Sequence, residues 1–269
     1  MPVPQMVKVM REVDYRLFRD GPRFGWLGRA VSLVSRLGLY RGDYLHQWIT
    51  DQLGGCGVRT FGDLRIDDAA RNLPAERAYK LVVVVSDVTS GHMVRLPWDY
   101  GRYGLDPDKQ LVADALRAST FLLPSVLAQA AENGPVAICI DGGMLSNFPI
   151  NIFDRVDGRP RWPTFGVKLS AEPPVGSWDP SWAPVLGPIS LMKALVATMM
   201  NAHDRLYLDD PAVRARTVFV ETDGVRATDF DIAADVCDEL YRRGRAAAKE
   251  FLVGWDFDEH LRKYRPVTA

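Results

Sequence analysis

An apolar run ending on an acid and two glycines sets the strongest limit on how this chain folds: Val136-Ala137-Ile138-Cys139-Ile140-Asp141-Gly142-Gly143. Five consecutive apolar residues without a breaker predict a buried strand, and Asp141 stands where that strand leaves the sheet. In open α/β sheets, ligands bind at that edge. A carboxylate placed there can serve as a general base, and Gly142 and Gly143 let the backbone turn sharply and bring a reacting group close to it. An ordinary Asp-Gly turn accounts for the same three residues, so other stretches must decide between the two.

The rest of the pattern is α/β. Lys80 to Asp87, with four consecutive valines, predicts a strand apolar on both faces, as in the middle of a covered sheet. Asp43 is a candidate N-cap for a helix from Tyr44 to about Leu53, with Gly54-Gly55 as its stop. Leu111, Val112, Ala115, Leu116 and Ser119 recur at helical spacing between Asp108 and about Leu122, ahead of Pro124. Further strands are expected at Thr164 to Leu169 and Arg216 to Thr222, and helices at Ile189 to His203 and Phe230 to Leu252. In the last of these, Arg242, Arg243, Arg245 and Lys249 read as a solvated face. The Pro- and Trp-rich segment from Ala171 to Pro188 is long for a plain connection. Trp178 and Trp182 make it a candidate binding loop or a flap packed on the domain. The first forty residues suggest a helix, a loop and a second helix.

Composition narrows the function. A chain of 269 residues with 47% hydrophobic content fits one α/β domain, whose core is expected to span about residues 41–255. A net charge of -1 gives no global field for holding nucleic acid. Cys56, Cys139 and Cys237 are widely spaced, with no Cys-x-x-Cys pair, and read as reduced cytosolic thiols. His46, His92, His203 and His260 are scattered without metal-ligand spacing, and neither a Walker loop nor a dinucleotide fingerprint is present, so no metal or cofactor is expected. The N-terminus lacks an uninterrupted signal-peptide core and no apolar run reaches transmembrane length. A cytoplasmic protein follows, with any membrane contact confined to the surface.

Four stretches together resemble the patatin-like phospholipases, serine lipid acyl hydrolases. Asp141-Gly142-Gly143 with Asn147-Phe148-Pro149 is similar to the family's Asp-Gly-Gly/Ala motif and the Asn-x-Pro after it. Leu116 to Pro124, with Ala118-Ser119, resembles the family's Ala-Ser helix ending in Pro, and Val83 to Val94, with Asp87 and Thr89-Ser90-Gly91, its strand and turn. The ending Val218 to Val225, with Thr228-Asp229-Phe230, is similar to the last strand and turn of bacterial members. The resemblance implies a three-layer fold with a central, mostly parallel sheet flanked by helices. It also implies a Ser-Asp dyad cleaving a lipid or acyl-ester substrate, in which Asp141 accepts the serine proton without an intervening histidine.

The chain departs from that family at the nucleophile. It contains no Gly-x-Ser-x-Gly elbow and no Gly-rich oxyanion loop. Ser90 lacks the Gly two positions earlier, Ser119 falls inside a predicted helix, and Ser146 follows Asp141 too closely to face it. The expectation is an N-terminally truncated patatin-like domain, through a late start codon or a shortened gene, that is inactive or nearly so. The alternative is a non-catalytic remnant or a lipid- or protein-binding partner subunit. A third reading makes Asp87, in Ser86-Asp87-Val88-Thr89, an aspartyl phosphotransferase nucleophile, against which stands Thr89 where a second Asp is needed.

Overall fold

The computed structural model describes residues 1–18, 42–67, 74–120, 125–129 (backbone), 136–145, 148–155, 158–170, 209–225 and 229–264, with 172, 187, 190, 191, 194 and 198. Ser146, Asn147, Trp178, Trp182, His203 and most of the 171–188 segment lie outside the described residues. Two compact units divide the chain, Met1–Leu145 and Ser146–Ala269.

The N-terminal unit is built on a four-stranded sheet in the order β2-β1-β4-β3, with β1 at Val83–Asp87, β2 at His92–Leu96, β3 at Ser125–Gln129 and β4 at Val136–Asp141. The valine-rich strand is interior, as its two apolar faces require. All three pairings are antiparallel. The expected mostly parallel sheet therefore differs from the pairing seen among the described residues, where the parallel pair lies in the second unit. The reason is local. Thr89-Ser90-Gly91, with Gly91 at φ 71°, turns β1 directly back into β2, and a turn that short joins only antiparallel strands.

One helix covers this sheet. Of α1 (Val3–Glu12), α2 (Asp43–Gly54) and α3 (Val112–Thr120), the last packs on β1 and β4. It buries Val112, Ala115 and Ala118 into a core with Val83, Val85 and Cys139. Asp43 is the first helical residue rather than the cap, because Gly42 takes the cap position in the left-handed conformation at φ 67°. α3 starts later than its periodicity predicts. Leu111 bridges to Thr60, which holds the chain extended, and Asp106 caps a separate 3-10 turn at Pro107–Lys109.

The C-terminal unit holds a parallel pair, β5 (Gly166–Lys168) and β6 (Thr217–Phe219), with α4 (Pro211–Arg214), α5 (Ala234–Gly254) and α6 (Phe257–Tyr264). Both strands are shorter than predicted. On α5, Arg242 fits the solvated face, whereas Arg243 pairs with both Glu239 and Asp223 and ties the helix to the turn after β6.

Arg216 is the chief polar anchor of this unit. Its guanidinium is almost wholly buried and donates to both carboxylate oxygens of Asp154, at 2.6 Å each, and to Asn151 Oδ1 at 2.7 Å. A buried bidentate pair is costly to halve and cheap to replace whole. Arg216→Met should cost about 3 kcal/mol in urea unfolding. Adding Asp154→Leu should recover most of that loss, and no recovery would show that the pair itself is not what holds this region.

Candidate active site at the end of β4

Two aspartates end neighbouring strands, and their surroundings separate them chemically. Asp87 closes β1 and Asp141 closes β4; because the strands are antiparallel, with Val85 opposite Asp141 and Asp87 opposite Cys139, the acids leave the sheet in opposite directions.

Asp87 is fully committed. Its carboxylate, 2% exposed, accepts from the backbone N–H groups of Thr89 (2.9 Å) and Ser90 (3.2 Å), from Ser90 Oγ (2.7 Å) and from the Tyr103 hydroxyl (2.9 Å). Burial pushes its pKa up, but the bonds from Ser90, Tyr103 and Thr89 outweigh that and leave it below the usual carboxylate range. A carboxylate held this way is a weak base, with its lone pairs spent on shaping a turn. Ser90 Oγ lies next to it, yet the contact organises the β1–β2 hairpin. The same turn is pinned across the sheet by Thr89, whose hydroxyl donates to the Val136 carbonyl (3.2 Å) and accepts from Ile138 N–H (3.0 Å). The phosphotransferase reading of Asp87 finds no available oxygen there.

Asp141 is in the opposite condition. It caps a 3-10 turn at Gly142–Met144, and its Oδ1 accepts from Gly143 N–H at 2.8 Å. Among the described residues no donor reaches Oδ2. Burial raises its pKa, and the Gly143 bond offsets this only in part. The result is a half-buried carboxylate of raised basicity, with one oxygen that accepts from no donor among the described residues, the condition a general base needs.

The turn after Asp141 is fixed by close packing. The β1–β4 ladder stops at the Val85–Asp141 pair, and at the next position the Gly142 backbone lies directly against Val84. A Cβ at Gly142 would stand 2.2 Å from the Val84 carbonyl oxygen, so only glycine fits. Two serines fasten the same place: Ser119 Oγ on α3 donates to the Val84 carbonyl (2.8 Å), and Ser86 Oγ on β1 donates to the Gly142 carbonyl (3.3 Å). From sequence, Ser86 is only a neighbour of Asp87, and Ser119 is a helix position, part of the Ala118-Ser119 stretch and a rejected nucleophile; neither reading contains its bond to this turn. The available signal is the position of Ser119 next to the last residue of an amphipathic helix facing the valine strand.

The raised pKa has a stability consequence. An acid whose folded pKa lies above its unfolded value, about 3.9, contributes most below that value and loses its contribution as pH rises through the folded pKa. Asp141→Asn keeps an acceptor for Gly143 and removes the buried charge. It should therefore stabilise the protein at pH 7 in urea titrations, with the gain shrinking as pH falls toward 4. A loss of stability at pH 7 would contradict this account of the carboxylate.

The remaining chemistry is sparse. Among the described residues no cluster of His, Cys, Asp or Glu could hold a metal. His46 Nε2 lies 2.7 Å from Asp114 on the neighbouring helix, and His92 Nδ1 lies 2.7 Å from the Ser90 carbonyl. The Cys139 thiol is buried, with its pKa pushed up to about 12, which makes it an inert core residue. No described helix is long and apolar enough to cross a membrane. A cavity of about 20 Å³ in the C-terminal unit, between Trp162, Trp255 and His260, has room for little more than a water molecule.

Comparison with known proteins places the chain among relatives. A family model described as patatin-like phospholipase matches residues 1–154, the stretch that ends just past the Asp141 turn. The chain is 34% identical over 231 residues to the "Uncharacterized protein YqhO" of Bacillus subtilis (strain 168), which covers 84% of this chain and 72% of that protein. It is also 30% identical over 142 residues to the "RpoH suppressor" of Rhizobium meliloti (strain 1021), covering 45% of this chain and 22% of that protein.

Proposed function

Because the chain belongs to the patatin-like phospholipase family, a family of lipid hydrolases, we propose that it carries the acid half of a serine esterase site, with Asp141 as the proton acceptor. The observation that supports this reading is the contrast between the two strand-end acids. Asp87 spends its oxygens on its own turn, while Asp141 keeps Oδ2 open and its basicity raised. In a Ser-Asp dyad the carboxylate takes the hydroxyl proton as the serine oxygen attacks the ester carbonyl and gives it to the departing alcohol as the acyl-enzyme forms; it then takes a proton from the attacking water and returns it to the serine oxygen as the carboxylic acid leaves. Gly142 and Gly143 set the turn that aims the carboxylate. The substrate class is a lipid or acyl ester. The site uses no cofactor, the protein is cytoplasmic with at most peripheral membrane contact, and residues 1–269 make up one patatin-like domain.

The 269 residues hold no Gly-x-Ser-x-Gly, and loss of a serine nucleophile can cost on the order of 10⁶ in kcat. The chain by itself is therefore inactive or nearly so. The same absence favours the second reading, a non-catalytic protein that binds lipid or a partner. A fluorophosphonate probe incubated with the purified 269-residue protein should label no serine, and hydrolysis of a p-nitrophenyl ester should stay at background. A labelled serine, identified by peptide mapping, would overturn the assignment and name the nucleophile that the motif search misses.

A further inference from the structure

We propose that Ser119 and Ser86 are positioning residues for Asp141, acting through the Val84 and Gly142 carbonyls to hold the turn that points the Gly143 N–H at the carboxylate. The significance of this role for catalysis rests on Asp141 being the base; the role itself does not.

The geometry forms a short chain of contacts. Ser119 Oγ, on the α3 face that packs against β1, donates to the Val84 carbonyl at 2.8 Å. That carbonyl sits one position past the last β1–β4 pair, so Ser119 supplies it with a donor where the ladder no longer runs. The same oxygen is the surface against which the Gly142 Cα rests, closely enough that no side chain fits between them. On the other side, Ser86 Oγ, buried at 1% exposure, donates to the Gly142 carbonyl. Gly142 is therefore held by its Cα against Val84 and by its carbonyl toward Ser86. The next N–H, that of Gly143, then falls 2.8 Å from Asp141 Oδ1. Neither serine touches the carboxylate. Each sets the backbone that does, and a loosened turn would free the Asp141 side chain to rotate and exchange its one backbone donor for water.

This arrangement also accounts for the serine inside a helix. A helical Ser is an indifferent helix former and usually bonds back to its own helix or faces water. Ser119 bonds instead to a strand 35 positions away in sequence. A hydroxyl is favoured there because an apolar residue would deprive the half-buried Val84 carbonyl of this donor.

The test reads the turn and is independent of hydrolysis. In the isotopically labelled 269-residue protein, the Gly143 amide resonance should titrate together with the Asp141 carboxyl carbon, since its N–H is bonded to Oδ1. Ser119→Ala and Ser86→Ala should each reduce the amplitude of the Gly143 titration at least twofold and move the Asp141 midpoint, while Ser119→Thr restores the wild-type amplitude. A purely structural role would lower the thermal midpoint and leave the Gly143 amplitude unchanged. That result in both alanine variants would overturn the proposal. Should Ser119→Ala not fold, Ser119→Cys, which keeps the volume and weakens the donor, is read by the same amplitude. Failure here would leave Asp141 standing as base, whereas a dispensable Asp141 would sink the catalytic reading and leave the turn geometry intact.

Discussion

In a form of the protein that also carries a Gly-x-Ser-x-Gly elbow, Asp141→Asn is expected to lower kcat for ester hydrolysis about 10⁴-fold. The amide preserves the shape of the side chain and the acceptor that Gly143 N–H uses at 2.8 Å. What it removes is the capacity to take a proton. With no histidine in the dyad, nothing else stands ready to accept the serine proton, so the loss falls on the chemical step and leaves KM nearly unchanged. The pH profile adds a second signature. Activity requires the ionised acid, and burial raises its pKa, so the acid limb of kcat/KM should lie above the range of an exposed carboxylate. Urea unfolding of the same variant separates chemistry from folding: it should be at least as stable as the parent at pH 7. A variant that retains more than a tenth of the parental kcat would remove Asp141 from the mechanism.

Gly142→Ala should be the most damaging single methyl in the N-terminal unit, costing about 4 kcal/mol or more and lowering Tm by roughly 8–16 °C. The new Cβ would lie 2.2 Å from the Val84 carbonyl oxygen and 2.8 Å from its carbon. These are backbone atoms of an interior strand, paired on one side with β2 and on the other with β4, and cannot yield as a flexible side-chain tip would. The chain can relieve the clash only by pulling the Asp141 turn off the sheet, which breaks the Ser86 contact. Gly101→Ala is the control, because a Cβ there meets nothing within 4 Å; it should stay within about 0.5 kcal/mol of the parent. Equal behaviour of the two variants in thermal unfolding would show that the close approach at Gly142 is not what fixes the turn.

Elements whose burial pattern is local were legible in advance. Four valines in a row with no polar position name an interior strand, and β1 occupies that place. The run ending at Asp141 was read as a strand leaving the sheet at the acid, and β4 ends there. α3 and α5 follow the helical spacing of their apolar positions, although α3 begins four residues late because Thr60 bridges Leu111. The direction of pairing was not legible. Whether β1 runs with or against β4 depends on which neighbours reach its edges, and a strand's own residues look alike in either case. β2, β3 and α6 escaped the sequence reading because each is short and only weakly patterned.

The sequence by itself determined the class of the fold and named the acid, because a buried strand and the carboxylate at its end are properties of contiguous residues. Position at a strand end does not by itself separate Asp87 from Asp141, since both are strand-end acids followed within a few residues by glycine. The tertiary structure sets their surroundings apart. Tyr103, 16 positions from Asp87, helps to saturate one carboxylate, while Val84, bonded to Ser119 and distant from Asp141 in sequence, packs against the turn of the other, one of whose oxygens meets no donor among the described residues. Basicity depends on which donors and how much solvent surround a group, and those neighbours are assembled only when the chain folds.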